Sequence, residues 1–529
     1  RVASLGVGST SADARIAFFK DGFKIIKNYP IFGTGGGGWV TLYHRYQSYP
    51  YWTTLAHNFV LQLWIEIGTI GLLIFILLLL TITYFAVKTY FKEDNIQNRL
   101  VILGVYFTLL TMLGHAIVDF DMSLPAYAIV FWTLTGIISK STDFSTINWF
   151  EKIKKQSSKP LTYASLILVV LILVNSIQIQ SSVIYANKGL ESAENKDIDN
   201  TILNFEKASR LDKYNTDYYH DLMILNMEKY EDTKDMTYPQ KAYEASQEFL
   251  RLSKHNPILY SSVAGFLMSV GQIEDSLDLL DRAVELQPMV TEQYVSRANG
   301  YLAVFKYYYQ NEEYDKARQI LERALEVKET LQEVSKSTIR PLSTNMDLIY
   351  SIGELQYYLD NFDAPDLPFA MGYNLDFAYF FDIDIDNNGV PDHFHISNPE
   401  GANLTYERVD NGTDKFIRLK NNGEKQGYVY ISNIKLEPNT QYLVQIKARG
   451  TIHSDTMNIY AISNGSEEPH QGNLLGVPVD IEWYPYTFEF TTDEDVEPGR
   501  QNIMILLMGN DEGHVDIKEL AIFKKDNNN

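Results

Sequence analysis

At 529 residues the chain is too long for one domain. It has no cysteine, which excludes disulfides, thiolate zinc sites and cysteine nucleophiles. A formal charge of −22 argues against nucleic acid as a partner. The chain opens at Arg1 on what reads as the inside of a longer protein, so earlier membrane helices are expected before it.

Residues 1–58 read as an extracytoplasmic loop with one helical piece. In SADARIAFFKDGFKIIKNYP, the residues Ile16, Phe19, Phe23 and Ile26 recur at helical spacing, which predicts an amphipathic helix lying in the membrane interface. Ser11 or Asp13 can cap its start, and Pro30 follows its end. Arg15 falls on one flank of the apolar stripe, where a guanidinium can hold a phosphate bidentately or simply snorkel. PIFGTGGGGW follows, and it is no Walker loop because no Lys-Ser/Thr pair closes it. A flexible turn is the expectation there. Tyr43, His44, Arg45, Tyr46, Tyr49, Tyr51 and Trp52 then crowd ahead of His57, a composition that suits sugar rings or lipid headgroups.

The organising stretch is AHNFVLQLWIEIGTIGLLIFILLLL, Ala56 to Leu80. Between Phe59 and Val87 the only charge is Glu66, so the run is long enough to cross a hydrocarbon core, which takes roughly 20 apolar residues. His57 is thereby placed at a membrane surface, either as a reactive group or as a plain helix anchor. Asn58 can orient its imidazole. Glu66 lies more than two turns deeper and reads as structural. Further apolar segments at Leu100–Leu113, Leu124–Ile138 and Leu161–Ile179 predict about four transmembrane helices within 59–180. The links holding Lys88, Lys92 and Arg99, and Lys140, Lys152, Lys154, Lys155 and Lys159, are basic. The turn from His115 to Ser123 has no Lys or Arg, so the positive-inside rule puts it outside the cell with His57 and everything after Gln180. His115 and Asp119 are i,i+4 neighbours on a helix, lining an outer cavity or packing as a polar pair.

Taken in order, Arg15, PIFGTG, AHNFVLQLWIEIG and HAIVDFDMSLPAYAIVFW resemble the O-antigen ligase family, which includes Wzy-type polymerases, over about Arg1 to Ile138. The resemblance implies a polytopic enzyme of the outer face of the plasma membrane. Such an enzyme moves a glycan from a polyprenyl diphosphate carrier to an acceptor glycan or wall component, without a catalytic cofactor. It implies that Arg15 contacts the diphosphate and that His57 is the base on the acceptor. Asn58, Arg45, His115 and Asp119 are the substrate-binding candidates. Histidine suits proton removal near neutral pH, and a guanidinium suits the charge that grows on a departing diphosphate.

Residues 181–334 are helical and repetitive. GQIEDSLDLLDRAVELQP and EEYDKARQILERALEV are alike, with Ala283, Ala317 and Ala324 at packing positions. They resemble tetratricopeptide repeats, and predict a concave solenoid that binds a protein segment or serves as a spacer. Residues 335–373 read as a connector, extended near Pro365 and Pro368. From 374 to 525 short alternating strands predict an antiparallel sandwich resembling jelly-roll carbohydrate-binding modules. Tyr428, Tyr430, Trp483, Tyr484 and Tyr486 are its stacking candidates, though several must fill the core. At its start, Asp384-x-Asp386-x-Asn388-Gly389 matches the first half of an EF-hand loop, and Asp382 and Asp392 can complete a structural Ca2+ shell. His395 stands at the twelfth position, so a complete EF-hand is excluded.

The expected fold is therefore multidomain: a polytopic α-helical membrane segment, a TPR-like α-solenoid, then an all-β antiparallel sandwich. Two functions remain open. One is a membrane glycosyltransferase of the O-antigen ligase type. The other is a non-catalytic, membrane-anchored surface adaptor that binds partners or wall glycan through its solenoid and sandwich.

Overall fold

The computed structural model describes residues 11–141, 148–343, 345–363, 373–412, 414–450, 457–463, 470–472, 482–494, 496–507 and 513–525. They form two compact units. The first runs to Ser276 and takes in Glu285–Gln287; the second comprises Leu277–Val284 and the chain from Pro288.

The first unit opens with α1 (Ser11–Asn28) and the short α2 (Gly38–Tyr46). Next come α3 (Phe59–Lys92), α4 (Ile96–Ala116), a 3-10 turn (Asp121–Ser123), α5 (Pro125–Ser141) and α6 (Asn148–Glu194). Among the described residues, three helices are long and apolar enough to cross a membrane: Phe59–Lys92, Ile96–Ala116 and Tyr163–Glu194. Protein buries only 6% of the apolar windows of the first and third, which fits side chains facing lipid all round. The segment expected at Leu124–Ile138 forms α5, whose 17 residues fall slightly short of the roughly 20 that a hydrocarbon core requires. Residues 142–147 of the basic link lie outside the described residues.

α6 does not end where the apolar segment ends. It continues past Gln180 and becomes the first helix of the repeats, packing on α7 (Ile198–Leu211), where Gly189 lies against the Phe205 ring. The helices α8 (Thr216–Thr233), α9 (Thr237–Leu252) and α10 (Tyr260–Ser269) complete the unit.

α11 (Ile273–Leu286) lies at the division. It is followed by α12 (Thr291–Gln310), α13 (Tyr314–Ser337) and α14 (Met346–Asp360). Ala283, Ala317 and Ala324 are buried, as their packing positions predict. α14 lies inside the stretch read as a connector. The extended part expected around Pro365 and Pro368 falls outside the described residues.

The sandwich follows. One sheet has the order β3 (Leu404–Asp410), β4 (Lys415–Asn421), β11 (Val515–Lys525), β6 (Gln441–Gly450), β9 (Tyr484–Thr491), with β1 (Tyr373–Phe380) also paired to β11. The other has the order β2 (Phe394–Ser397), β5 (Gly427–Ile434), β10 (Gln501–Leu507), β7 (Met457–Ser463), β8 (His470–Gly472). Every pairing among the described strands is antiparallel. Val429 and Ile431 point into the core with Ile503 and Ile505, as a period of two requires. One apolar cluster runs from Val327, Leu348 and Ile352 of the helices to Phe377, Val444 and Ile522 of the strands. The last helices and the sandwich therefore share a core.

Candidate functional site

Side chains near the start of α3 are positioned by α1. The face of α1 that packs is Phe18, Gly22, Ile25 and Ile26, with Gly22 against the Leu61 side chain. Ile16 and Phe19 of the expected interfacial stripe remain 54% and 46% exposed, while Ile26 packs inward. Asp21 shares the packed face, its carboxylate completely buried. Its Oδ2 accepts from Ser48 N–H (2.9 Å), the Ser48 hydroxyl (3.1 Å) and the Tyr51 hydroxyl (3.0 Å), and Lys24 donates to its Oδ1 at 2.8 Å. Lys24 also donates to the Tyr46 carbonyl at 2.9 Å. A buried carboxylate with this many donors is tolerated, and it ties α1 to the segment that leads to His57.

The glycine segment is not a free turn. Within α3 the helix breaks at Gly68, whose φ is 67°. The break strands two carbonyls and two N–H groups, which an apolar medium does not satisfy. PIFGTG supplies the partners. Thr34 N donates to Ile65 O and Gly35 N to Glu66 O, each at 2.9 Å, while Thr69 N donates to Pro30 O (2.9 Å) and Ile70 N to Ile31 O (3.3 Å). Gly33, with φ 74°, sits directly opposite. A Cβ on Gly33 would meet the Glu66 carbonyl at 2.5 Å, and one on Gly68 would meet the Ile31 carbonyl at 2.3 Å. Glu66 is used here too: its Oε1 accepts from Gly37 N at 3.3 Å, at the start of α2, and from Gln62 Nε2 at 3.2 Å.

His57 and Arg15 converge on Asp119. His57 Nδ1 lies 3.6 Å from Asp119 Oδ1, and Arg15 Nη2 lies 3.7 Å from Oδ2. These are ion-pair separations, longer than hydrogen bonds. Phe59 N, in the first turn of α3, donates to the Asp119 carbonyl at 3.2 Å and pins the two segments together. The imidazole lies against Phe18 (centroids 5.8 Å apart, planes at 26°) and meets Phe120 edge-on at 5.1 Å. His57 has φ 49°, a left-handed conformation uncommon for a residue with a side chain. A hydrogen bond from Phe120 N–H, together with the charges of Arg15 and His57, holds the Asp119 carboxyl below its usual range against a burial cost. Arg15 and His57 side chains are 42% and 32% exposed, so both can reach a ligand.

The other sequence candidates are distributed differently. Asn58 caps α3, its side chain accepting from Leu61 N at 2.9 Å. His115 pairs with Asp121 (2.6 Å) instead of Asp119. Arg45 is exposed in the last turn of α2, and no contact described for it joins this group. Asp21 was missed by sequence reasoning. A lone acid between aromatic residues carries no pattern, and its partners Ser48 and Tyr51 come from another segment.

In the sandwich, Asp382 pairs with Lys328 at 3.0 Å and Asp384 with Arg408 at 2.6 Å. Asp384 also accepts from Asn388 N and Gly389 N, both at 3.1 Å, and Asp386 accepts from Asn388 N at 3.1 Å. Asp392 is buried and accepts from Ile385 N at 2.6 Å. Burial, then the charges of Asp386 and Asp384, pushes its carboxyl up to about 7. Among the described residues no three His, Asp or Glu side chains are grouped to hold a metal ion. Of the aromatic candidates, Tyr486 is buried and Tyr484 is exposed. Trp483 lies under Arg449 at 4.4 Å, and Tyr428 and Tyr430 stack together at 6.3 Å.

A family model described as O-antigen ligase matches residues 2–76. Arg15, the glycine segment, His57 and Gly68 fall inside it, and Asp119 falls outside. No curated protein matches this chain. Among solved structures, a crystal structure of the MamA protein is 20% identical, covering 34% of this chain and 86% of its own, with a TM-score of 0.22. A structure of PilF from Pseudomonas aeruginosa is 16% identical, covering 35% of this chain and 72% of its own, with a TM-score of 0.22. The CBM22-1 xylan-binding domain of Paenibacillus barcinonensis Xyn10C is 10% identical, covering 29% of this chain and 97% of its own, with a TM-score of 0.23.

The backbone clip generates a direct test. Gly33→Ala or Gly68→Ala drives a Cβ into opposing backbone and imposes a positive φ on alanine. Each is expected to cost at least about 1–3 kcal/mol. Thermal unfolding of detergent-purified protein should show a lower Tm for both. Gly36→Ala, with open space around it, should match the wild type. Equal melting of all four proteins would remove the clip as a structural requirement.

Proposed function

We propose that this chain transfers a glycan from a polyprenyl diphosphate carrier to an acceptor hydroxyl at the outer face of the plasma membrane, as an enzyme of the O-antigen ligase type. The observation that carries the reading is the convergence of Arg15 and His57, from separate segments, on the single carboxylate of Asp119 beside the start of a membrane helix. The family match over residues 2–76 supports it.

The roles follow from the chemistry. Asp119 faces His57 Nδ1, favouring the tautomer with its proton there and leaving Nε2 as the base. The acceptor oxygen attacks the anomeric carbon while Nε2 takes its proton. The bond from that carbon to the diphosphate breaks, and the electron pair leaves with the diphosphate. Arg15 is half-exposed beside Asp119 and can turn from one anion to the other, so it meets the charge as it grows. Asp119, kept ionised by its surroundings, balances the imidazolium that forms.

His57→Ala removes the base and is expected to lower transfer by about 10²–10⁴-fold. Arg15→Lys keeps the charge without the bidentate fork and should impair donor use more than acceptor use. Asp119→Asn should lower kcat with little change in donor KM. The assay is glycan transfer by full-length protein in membranes, with accumulation checked by blot. If His57→Ala protein accumulates normally and transfers at the wild-type rate, the enzyme reading falls and the membrane-anchored adaptor takes its place.

Orientation is part of the same proposal. The chain has no cysteine, so single cysteines report topology cleanly. Asp94→Cys, in the exposed turn between α3 and α4, should be protected on intact cells from a membrane-impermeant thiol reagent. Asn256→Cys, exposed before α10, should label. The reverse pattern would put the Arg15–His57 site in the cytoplasm.

We also propose calcium at Asp382, Asp384, Asp386, Asn388 and Asp392, a binding that requires Lys328 to release Asp382, Arg408 to release Asp384 and the carboxylates to draw together. Calcium should then raise the melting temperature of the protein by mass action and lower the Asp392 pKa. Identical melting in calcium and in chelator would dismiss the cation.

A further inference from the structure

Within the second unit, α13 and the ends of β3 and β4 enclose two adjoining cavities of about 250 and 190 Å³, which share Asp382 and Lys415 in their walls. Neither a helical repeat nor a sandwich alone makes this cleft. Lys328, Gln332 and Lys336 recur every four residues along α13 and line it as one stripe. We propose that the cleft binds an uncharged, hydroxyl-rich ligand, a neutral saccharide, at a site separate from the Arg15–His57 centre and independent of its chemistry.

The walls carry the argument. Two cation–anion pairs are tight: Lys328 with Asp382 at 3.0 Å, and Arg408 with Asp384 at 2.6 Å. They neutralise each other. The remaining pairs are loose. Lys415 stands 3.9 Å from Asp410, and Lys518 stands 3.5 Å from Asp414 and 3.9 Å from Asp360. Separations this long are at or beyond the limit of a hydrogen bond, so the ammonium donors and carboxylate lone pairs keep capacity for another partner. An anion entering the cleft would face Asp382, Asp384 and Asp410, and a cation would face Lys336, Lys415 and Arg408. In this larger cavity the charges of the two signs balance and neither gains, whereas the smaller one, with Lys328, Lys415 and Lys518 against Asp360 and Asp382, carries one cation in excess. A hydroxyl both donates and accepts, and satisfies both kinds of wall. Phe381 and Phe416 lie beneath the larger cavity and are almost wholly buried, so its accessible wall is mostly the polar side chains. At about 30 Å³ per water, that cavity displaces about eight waters, room for one sugar ring. The second cavity extends the path for a chain.

The test uses full-length protein in detergent on an array of neutral, uronate-containing and amino-sugar oligosaccharides, with titration calorimetry on whatever binds. Neutral oligosaccharides should bind, and the doubly substituted Lys415→Met, Asp410→Asn protein should bind them about tenfold or more weakly. Lys336→Met, at an exposed position that no fold contact described here requires, should weaken binding even if the double variant melts early. Tyr428→Ala with Tyr430→Ala, on the outer face of the second sheet, should leave binding intact. His57→Ala should also leave it intact, so failure of the transfer reading does not touch this one. Binding of acidic sugars alone, no saccharide binding at all, or loss confined to the tyrosine variant would each overturn the proposal.

Discussion

Four backbone hydrogen bonds cross between residues 30–35 and residues 65–70, and the placement of everything ahead of α3 depends on them. A helix in hydrocarbon cannot break without finding partners for the groups it exposes. Here the partners are main-chain groups of PIFGTG, so the requirement falls on backbone geometry and not on side-chain chemistry. Both opposing positions must be glycine because each Cβ would occupy the other strand's backbone. The polar Glu66 is accommodated by the same device, since the loop brings Gly37 N–H to its carboxylate. What a charge-and-hydropathy reading treats as one long span is a broken helix with a loop laid across the break.

That clip and the Asp21 hub act on the same object from two sides. The clip fixes the segment after α1 to the middle of α3. Asp21 fixes α1 itself to Ser48 and Tyr51, just ahead of His57. Between the two anchors the chain has little freedom, and Phe18 on α1 is held against both the Tyr51 ring at 4.7 Å and the imidazole. Arg15 lies one turn from Phe18 on the same helix. The separation of Arg15 and His57 is thus set by packing and buried hydrogen bonds, which is the condition for a preorganised site.

The sequence made some of this readable and hid the rest for physical reasons. Arg15 and His57 could be singled out as candidates because each stands at a fixed place relative to a long apolar run or a glycine segment. Asp119 was legible as a neighbour of the site, but its role as the carboxylate between them was not, because i,i+4 spacing paired it with His115 while the chain leaves the helix at Ala116. The burial of Asp21 on the packed face of α1 was not legible, because hydrophobic periodicity counts apolar residues and here a charged one is buried. β4, β5, β6 and β11 announced themselves by alternation or by long apolar runs. β1 did not: its Phe377 to Phe380 are all buried, since α14 covers the face that alternation assumes to be wet, with Gly353 of α14 against the Ala378 backbone. α14 in turn was hidden by its setting between a long charged helix and a proline pair, although Asn345 caps it with a 2.9 Å bond to Asp347 N–H.

Two continuities constrain how the parts can move. α6 carries its apolar span directly into the first helix of the repeats, so no loop separates membrane from solenoid at Gln180. A continuous helix bends gently and does not hinge except at defects such as proline, and the proline in α6, Pro160, lies ahead of the apolar span. The first repeat therefore inherits its direction from the membrane helix. In the second unit the same logic holds by packing instead of by chain. The core shared between α13, α14 and the β1–β11 pair packs the sandwich directly onto the helices. A cleft walled by α13 on one side and by strand ends on the other is then a fixed shape, because the elements that form its walls are fused by the apolar core beneath them.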